Sequence, residues 1–380
     1  MRFSGIFAVI LFYTTASGTA AQAEDLLPAL KLEPQVTVSG LSSGAFMTVQ
    51  LQTAFSGKIS GAGVVAGGPF DCAGGYVYNP FFDPMDMRIG QAVAICLNPT
   101  EMLPAVPLFP YVTGFIENQT MARIRILEGR GTIDPSSNII DDRIYMFLGT
   151  EDPIVRSETM GMLRNIYEEI GVPDGQIKFD QDVPAGHSFV TALGDVPCAD
   201  TEPDYLNLCD ADGQPGGAAF DQAEQIFNHL YGDLKDEVEP VAANLMTFDQ
   251  SAYSEGAMGM DSKAFVYIPT ACKTETTDCR LHIALHGCSQ GRSWELSDGL
   301  LMGERYATLT GYNGWVEANN IVVLYPQASA VPAPAFLPAR NNPKGCWDWW
   351  GFGGDDYLSK KAPQMAAIAR MAAAIGAPLE

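Results

Sequence analysis

Two pentapeptides of the chain fit the pattern G-x-S-x-G, in which the central serine can act as a catalytic nucleophile. The pattern needs glycines because the chain turns sharply from a strand into a helix and lifts the serine above a sheet edge. One match is GLSSG at 40–44, centred on Ser42, and the other is GCSQG at 287–291, centred on Ser289. A β-type run (QVTVS) precedes Ser42 and a helical run follows it, which favours Ser42.

The positions of the histidines also separate the two serines. A serine nucleophile needs a base, and a carboxylate must orient that base. In α/β hydrolases, the acid and then the histidine follow the serine along the chain. All four histidines precede Ser289, and all four follow Ser42. We therefore predict Ser42 as the nucleophile, and Ser43 cannot be the elbow serine in this frame.

His187 is the histidine best placed to act as the base. It lies in the loop sequence AGHSF, where the preceding glycine lets the imidazole reach over the sheet edge. The other histidines suit the role less well. His229 lies in an amphipathic helix, His282 lies within a strand, and His286 ends a strand beside a glycine as part of a loop scaffold.

Asp152 is the predicted acid. It belongs to GTEDP at 149–153, directly after the apolar run RIYMFL, where an α/β hydrolase places its acid. Glu151 and Asp182 are alternatives for this role. Aspartate before proline is also common turn chemistry, so a purely turn-forming Asp152 is the structural alternative.

The elements that must position these side chains alternate along the chain. We predict strands at 35–39, 62–66, 143–148, 176–179, 264–268, 281–285 and 321–324, helices at 45–55, 158–170, 220–230, 295–310 and 362–374, and an irregular stretch at 69–135. Short apolar strands that alternate with helices indicate an α/β fold with a mostly parallel sheet. Parallel strands are covered on both faces, which explains unbroken apolar runs such as IVVL.

Composition and charge exclude some partners. The chain has 380 residues, 47% of them apolar, and a formal net charge of −23. Nucleic acids and anionic membranes require basic patches, so we expect neither as a partner. The charge favours a neutral substrate, although an acidic surface also serves solubility alone. The scattered histidines and the absence of C-x-x-C argue against a zinc site. We expect no metal and no cofactor, while the oligomeric state stays open.

The first 23 residues have the three parts of a secretory signal. Arg2 precedes an apolar run at 6–13, and A-x-A ends at Ala23. This run is too short to span a bilayer, which takes about 20 residues, so a membrane anchor is the weaker alternative. We predict a signal peptide at 1–23 and a single catalytic domain at 24–380, secreted to the extracellular space or periplasm.

Eight cysteines in an exported chain indicate disulfides. Cys198 and Cys209 close one short polar loop, and Cys272 and Cys279 close another, so we expect two local pairs. The partners of the other four stay open at this point: Cys72, Cys96, Cys288 and Cys346.

Several segments together resemble the secreted poly(3-hydroxybutyrate) depolymerases of the single-domain, circularly permuted α/β-hydrolase type. They are GLSSGAFM, GTEDPIV, AGHSF, LHIALHGCSQG, VLYPQAS and GCWDWWGF, and the similarity runs from about residue 36 to the C-terminus. The resemblance implies a serine esterase that hydrolyses poly(3-hydroxybutyrate), or its oligomers, through an acyl-enzyme and without a cofactor.

The order of the motifs indicates the permutation. An His-Gly oxyanion loop normally precedes the nucleophile strand, but here LHGC at 285–288 follows Ser42 by more than 200 residues. Joining the C-terminal helix to residue 35 restores the usual succession. Such a rearrangement is tolerated because domain termini lie at the surface and close together.

The resemblance also implies roles for particular residues. The backbone N–H groups of Ser43 and Cys288 would form the oxyanion hole, and Ser43 lies at a helix start, where free N–H groups favour negative charge. An aromatic residue of CWDWWG would flank the acyl unit. We assign Trp347 to the wall of the crevice that binds the acyl unit. For Trp349 and Trp350, a position in the hydrophobic core is as good an interpretation as a position in that wall.

Because Cys288 and Cys346 both lie in site-forming motifs, we add the hypothesis that they are bonded to each other. That bridge would leave Cys72 to pair with Cys96.

Two other functions remain as alternatives. The chain could be a feruloyl or acetyl esterase that acts on plant polysaccharide. It could also be a non-catalytic carbohydrate-binding surface protein that uses its aromatic cluster as a sugar platform, although the complete set of triad residues argues against this.

Overall fold

The computed structural model describes residues 26–74, 92–97, 112–210, 217–274, 278–332 and 341–380. The predicted signal peptide at 1–23 lies outside these residues. Within them, no helix combines the length and the apolar character that crossing a bilayer requires.

The elements follow one another in an α/β pattern. The strands are β1 (Leu32–Leu41), β2 (Ile59–Val65), β3 (Arg143–Phe147), β4 (Ile177–Asp180), β5 (Phe189–Val190), β6 (Val196–Pro197), β7 (Leu206–Leu208), β8 (Leu245–Asp249), β9 (Lys263–Tyr267), β10 (Cys279–Leu285) and β11 (Ile321–Tyr325). The helices are α1 (Ser43–Ala54), α2 (Val112–Gly129), α3 (Ser157–Ile170), α4 (Gln222–Tyr231), α5 (Ser251–Ser254), α6 (Arg305–Leu309), α7 (Tyr312–Asn319) and α8 (Pro363–Ile375).

Eight of the described strands form one sheet in the order β4-β3-β2-β1-β10-β11-β9-β8. The first six strands in this order, which end with β11, are mutually parallel; β9 pairs antiparallel with β11, and β8 pairs antiparallel with β9. This confirms the predicted α/β fold with a mostly parallel sheet. Strand β1 lies between β2 and β10, and its residues from Val36 onward are all buried.

Helix α1 lies in the core rather than on the surface. All twelve of its residues are buried, and it packs against β1, β2 and β10. A helix enclosed on all sides is mostly small or apolar around its circumference, as SGAFMTVQLQTA is. Its two buried glutamines are satisfied by hydrogen bonds, Gln50 to two backbone carbonyl oxygens and Gln52 to Asp142. The element that follows Ser42 is therefore held rigidly against the centre of the sheet.

Two of the predicted elements differ from the structure. Of the helix predicted at 295–310, only α6 forms, because Gly299 and Gly303 both have positive φ and create turns that precede it. The stretch at 69–135, predicted to be irregular, contains the 18-residue helix α2.

The two ends of the described chain meet. The N–H of Leu30, just before β1, donates a hydrogen bond of 2.9 Å to the carbonyl oxygen of Ile375, the last residue of α8. This closeness is what a circular permutation requires, since the C-terminal helix can then be joined to the strand that leads to Ser42.

Four disulfides link the eight cysteines. They are Cys72–Cys96, Cys198–Cys209, Cys272–Cys279 and Cys288–Cys346. The structure confirms both predicted local pairs, and it also confirms the hypothesis that Cys288 is bonded to Cys346.

Candidate active site

Ser42 occupies a sharp turn between β1, which ends at Leu41, and α1, which begins at Ser43. Its φ of 57° and ψ of −120° are unusual for a residue with a side chain, and such strain is typical of functional turns. A Cβ on Gly40 would lie 2.4 Å from the backbone carbon of Gly44, and a Cβ on Gly44 would lie 2.3 Å from the carbonyl oxygen of Leu285. The two glycines of the motif are thus required by close backbone packing, as in a nucleophile elbow.

The second G-x-S-x-G sequence forms a loop and not an elbow. Ser289 also has a positive φ, of 61°, but a turn rather than a helix follows it. Its N–H donates to the carbonyl oxygen of Lys344 at 2.6 Å. A Cβ on Gly291 would lie 2.2 Å from the carbonyl oxygen of Ala328, so packing of the loop explains this glycine.

Asp152 and His187 form a buried pair. His187 Nδ1 lies 2.8 Å from Asp152 Oδ2, and each residue is only 6% exposed. Asp152 Oδ1 accepts the N–H groups of Ile154 at 2.7 Å and Val155 at 2.9 Å, which fixes the carboxylate in place. A carboxylate can only accept, so Nδ1 carries the proton and Nε2 is free to take one. The alternative acids Glu151 and Asp182 are both exposed.

Hydrogen bonds to the neighbouring loop at 198–201 hold the loop that carries His187. The N–H of His187 donates to Thr201 Oγ1 at 2.9 Å, and the N–H of Gly186 donates to the carbonyl oxygen of Cys198 at 2.8 Å. A Cβ on Gly186 would lie 2.2 Å from the carbonyl oxygen of Asp200. Glycine is therefore needed here for close packing against the loop that the Cys198–Cys209 disulfide closes.

A pocket of about 300 Å³ brings most of the predicted site residues together, because Ser42, Ser43, His187 and Cys288 all line it. Asp152 lies behind His187. Much of the remaining wall is apolar: Leu41, Phe46, Val93, Leu97, Ile154, Trp349 and Trp350. Within the described part of the chain, no group of three or more His, Cys, Asp or Glu residues is arranged to hold a metal ion.

The two expected oxyanion donors belong to segments that lie next to the nucleophile. Ser43 is the first residue of α1, and a Cβ on Gly287 would lie 3.4 Å from the Cβ of Ser42. The loop that carries Cys288 therefore abuts the elbow. Among the described residues, neither the Ser43 N–H nor the Cys288 N–H has a hydrogen-bond partner, so both are available to a ligand.

The structure corrects the assignment of Trp347 to the crevice wall. Trp347 is fully buried, and its Nε1–H donates to the carbonyl oxygen of His286 at 2.9 Å. Trp349 and Trp350 line the pocket instead, and Trp349 stacks on Phe46 with ring centroids 4.3 Å apart. The reason is a turn that follows Trp347, in which the Asp348 carboxylate accepts three backbone N–H groups from residues 351–353.

In a comparison with known proteins, the chain is similar to two polyhydroxybutyrate depolymerases. The chain is 36% identical over 352 residues to a poly(3-hydroxybutyrate) depolymerase of Delftia acidovorans, a match that covers 91% of this chain and 60% of that protein. It is 32% identical over 374 residues to a polyhydroxybutyrate depolymerase of Talaromyces funiculosus, covering 95% of both chains. No family model matches the chain.

Two solved structures are similar in fold. One is the crystal structure of PHB depolymerase from Penicillium funiculosum, and the other is a PHB depolymerase with a serine-to-alanine substitution, complexed with an R3HB trimer. Each has a TM-score of 0.70 and 29% sequence identity, and each match covers 91% of this chain and 98% of the other.

Proposed function

Since the chain belongs to the polyhydroxybutyrate depolymerase family, we propose that it is a secreted serine esterase that hydrolyses poly(3-hydroxybutyrate) or its oligomers. The observation that carries this proposal is the 2.8 Å contact between His187 Nδ1 and Asp152 Oδ2, at a pocket that Ser42 also lines. A base already oriented by a carboxylate, beside a serine on a strained elbow, is suited to acyl transfer.

In the proposed acylation step, Ser42 Oγ attacks the ester carbonyl carbon while His187 Nε2 takes the serine proton. The carbonyl oxygen becomes an oxyanion, which the N–H groups of Ser43 and Cys288 stabilise. One donor of this kind contributes about 3 kcal/mol to transition-state stabilisation. His187 then gives the proton to the departing alcohol oxygen, which leaves an ester between Ser42 and the acyl unit.

In the proposed deacylation step, a water molecule takes the place of the alcohol. His187 removes a proton from the water as its oxygen attacks the acyl carbon, and His187 then gives that proton to Ser42 Oγ as the Ser42–acyl bond breaks and the carboxylic acid leaves. Asp152 stabilises the imidazolium that forms in both half-reactions and keeps the proton on Nδ1 between them.

The pocket wall supports a neutral polyester substrate. Its apolar side chains suit the methyl-bearing units of 3-hydroxybutyrate, and among the described residues that line it His187, Tyr205 and Lys344 have ionisable side chains, none of them a carboxylate. The R3HB trimer bound to the similar depolymerase is a ligand of this class. The chain spans 60% of the length of the Delftia relative, so the activity of that whole protein enters here as part of the proposal.

Export is part of the same proposal. We infer that residues 1–23 are removed as a signal peptide and that residues 24–380 act as one catalytic domain. Four disulfides support this inference, because disulfides form and persist mainly in oxidising compartments outside the cytosol.

A three-substrate assay tests the proposal. The wild type should clear a poly(3-hydroxybutyrate) suspension and cleave p-nitrophenyl butyrate, and it should release little ferulate from feruloylated xylan. Ser42→Ala should fold and lose both ester activities, whereas Ser289→Ala, the matched control on the other motif, should keep much of them.

Each contrary outcome has a distinct meaning. Ferulate release without clearing would identify a feruloyl esterase on the same scaffold. A folded wild type that cleaves no ester would be a binding protein. Loss of activity in Ser289→Ala alone would invert the assignment of the nucleophile.

A further inference from the structure

Several hydrogen bonds hold the backbone of the loop that carries Cys288. The carbonyl oxygen of His286 accepts Trp347 Nε1–H at 2.9 Å, and the N–H of Gly287 donates to Gln290 Oε1 at 2.6 Å. The N–H of Ser289 donates to the carbonyl oxygen of Lys344 at 2.6 Å. Of the N–H groups of Gly287, Cys288 and Ser289, only that of Cys288 has no partner among the described residues.

His286 holds the peptide unit to which this free N–H belongs. Its Nδ1 lies 2.7 Å from the carbonyl oxygen of Gly287. That oxygen and the Cys288 N–H are the two ends of one trans peptide unit, and they point in opposite directions. A bond that fixes the carbonyl oxygen therefore also fixes the direction of the N–H, on the side where Cys288 lines the pocket.

The hydrogen-bond network determines the tautomer of His286. The N–H of Ala328 lies 3.0 Å from Nε2, and a backbone N–H can only donate. Nε2 is therefore unprotonated, and Nδ1 carries the proton that it donates to Gly287.

Burial keeps this imidazole neutral and immobile. His286 is fully buried, which lowers its pKa to about 4, whereas the hydrogen bond to Gly287 and the charge of Asp261 act weakly in the other direction. A Cβ on Gly291 would lie 3.3 Å from His286 Cε1, so only glycine leaves full room for the ring. The imidazole is therefore neutral at neutral pH.

We propose that His286 is a positioning residue of the ester hydrolysis, which aims the Cys288 N–H at the oxyanion by holding the opposite end of the same peptide unit. The inference rests on the proposed function, because it takes the Cys288 N–H to be an oxyanion donor. It gives a role to a histidine that the triad does not use, and a reason for the His-Gly pair that precedes Cys288.

Two substitutions separate the functions of the two ring nitrogens. In His286→Asn, the side-chain NH2 lies near the position of Nδ1 and can still donate to Gly287. In His286→Gln, the amide reaches the position of Nε2 instead, where it can bond to Ala328 but not orient the Gly287 carbonyl. His282→Gln is the matched control, since His282 is equally buried, in the strand that leads to His286, but bonds to Thr37 and Ser39.

The experiment measures kcat and KM with p-nitrophenyl butyrate, a substrate that does not depend on polymer binding. His286→Gln should lower kcat about 100-fold, the effect of losing one oxyanion donor, with KM within about twofold of wild type, since ground-state binding does not use that donor. His286→Asn should stay within about tenfold of the wild-type kcat, and His282→Gln should lower the melting temperature without a comparable loss of kcat.

An inhibitor pair provides the readout that a merely structural role would not change. A trifluoromethyl ketone forms a tetrahedral oxyanion with the nucleophile, whereas the corresponding secondary alcohol only occupies the pocket. His286→Gln should weaken inhibition by the ketone by about the same factor as kcat and leave inhibition by the alcohol unchanged.

Three results would overturn the proposal: an unchanged kcat in folded His286→Gln, equal losses for ketone and alcohol, or an equal loss of kcat in His282→Gln. If His286→Gln does not fold, His286→Asn decides alone, because a loss of more than about tenfold in that folded variant, toward the effect of a missing oxyanion donor, contradicts a role for the Nδ1 donor. Activity that survives Ser42→Ala would instead contradict the proposed function.

Discussion

Asp152 determines, at the scale of single residues, which nitrogen of His187 can act as a base. Both of its oxygens are engaged, one by two backbone N–H groups and the other by His187 Nδ1 at 2.8 Å. The carboxylate cannot donate, so the imidazole has to present Nε2 to the pocket. The protein thereby fixes the tautomer before the substrate arrives.

Replacing this acid should therefore change the tautomer and not the fold. We expect Asp152→Asn to remain folded and to lose about 10⁴-fold in kcat on p-nitrophenyl butyrate, as in a comparable triad. The Asn side chain can donate to Nδ1, which would leave the proton on Nε2. Glu151→Gln is the matched control and should behave like the wild type, because Glu151 is exposed. Near-normal turnover in Asp152→Asn would move the role to Glu151 or Asp182.

Some of the site residues can be predicted from the sequence alone, and others cannot. Ser42, Asp152 and His187 could be predicted because motif spacing and chain order constrain them, and the structure places all three at one pocket or directly behind it. The position of Trp347 could not, because it depends on a turn that the Asp348 carboxylate forms with three backbone N–H groups. The role of His286 requires knowing which peptide unit its Nδ1 contacts.

At the scale of elements, α1 is tied to β3 and α3 by a buried polar chain. Gln52 of α1 donates to Asp142 Oδ2 at 2.8 Å, and Tyr167 of α3 donates to Gln52 Oε1 at 2.7 Å. Asp142, just before β3, is 4% exposed. Burial raises its pKa to about 7; the Gln52 hydrogen bond opposes this increase, and neighbouring Asp141 adds to it.

This carboxyl group should make stability fall as pH rises. Between about pH 4 and pH 7, the folded protein keeps a proton on Asp142 that the unfolded chain has already lost, so unfolding releases a proton. Asp142→Asn removes this effect and keeps an oxygen for Gln52. Its free energy of unfolding relative to wild type should rise by about 3 kcal/mol between pH 5 and pH 8. Melting curves at the two pH values measure the difference, and a constant difference would show that Asp142 ionises normally.

The Cys288–Cys346 disulfide joins the loop proposed to supply an oxyanion donor to the segment that supplies Trp349 and Trp350. It closes a loop with a sequence separation of 58, for which chain entropy gives about 4 kcal/mol of stabilisation. We expect Cys288→Ala with Cys346→Ala to lose about this much stability, and to lose kcat as well because the Cys288 N–H is no longer held in place. Unfolding curves and p-nitrophenyl butyrate kinetics check the two parts.

The Cys272–Cys279 disulfide offers the control, since Cys279 starts β10 at the end of the strand far from the pocket. Its removal should cost about 2 kcal/mol of stability and leave kcat unchanged. An equal loss of kcat in both double variants would mean that general loosening, and not the position of the Cys288 N–H, lowers activity.

The pattern of apolar residues in the sequence predicts the central strands well and the helices of the connecting segments poorly. Strands β1, β3, β10 and β11 lie within a few residues of their predicted positions, because buried parallel strands leave uninterrupted apolar runs. Helix α2 was missed even though Ile116, Thr120, Ile124 and Leu127 are buried at helical spacing, since its surroundings in the sequence are rich in glycine and proline.

For the whole molecule, the sheet order explains how a permuted chain can still build one site. Strand β1 brings Ser42, and its neighbour β10 brings the oxyanion loop from the other end of the sequence. Because Leu30 and Ile375 are in contact, the natural chain ends can be joined there and new ends opened elsewhere while both strands keep their places in the sheet. The order of motifs in the sequence indicates this arrangement. No sequence pattern predicts the edge strand β8, which pairs antiparallel with β9.

The central claim is that Ser42 is the residue that becomes acylated, and covalent labelling tests it most directly. The wild type is treated with a fluorophosphonate ester, which forms a stable adduct with an activated serine, and the peptides are mapped by mass spectrometry. The account predicts one adduct, on the peptide that contains Ser42, and none in Ser42→Ala. An adduct on Ser289, or an active enzyme without an adduct on Ser42, would contradict it.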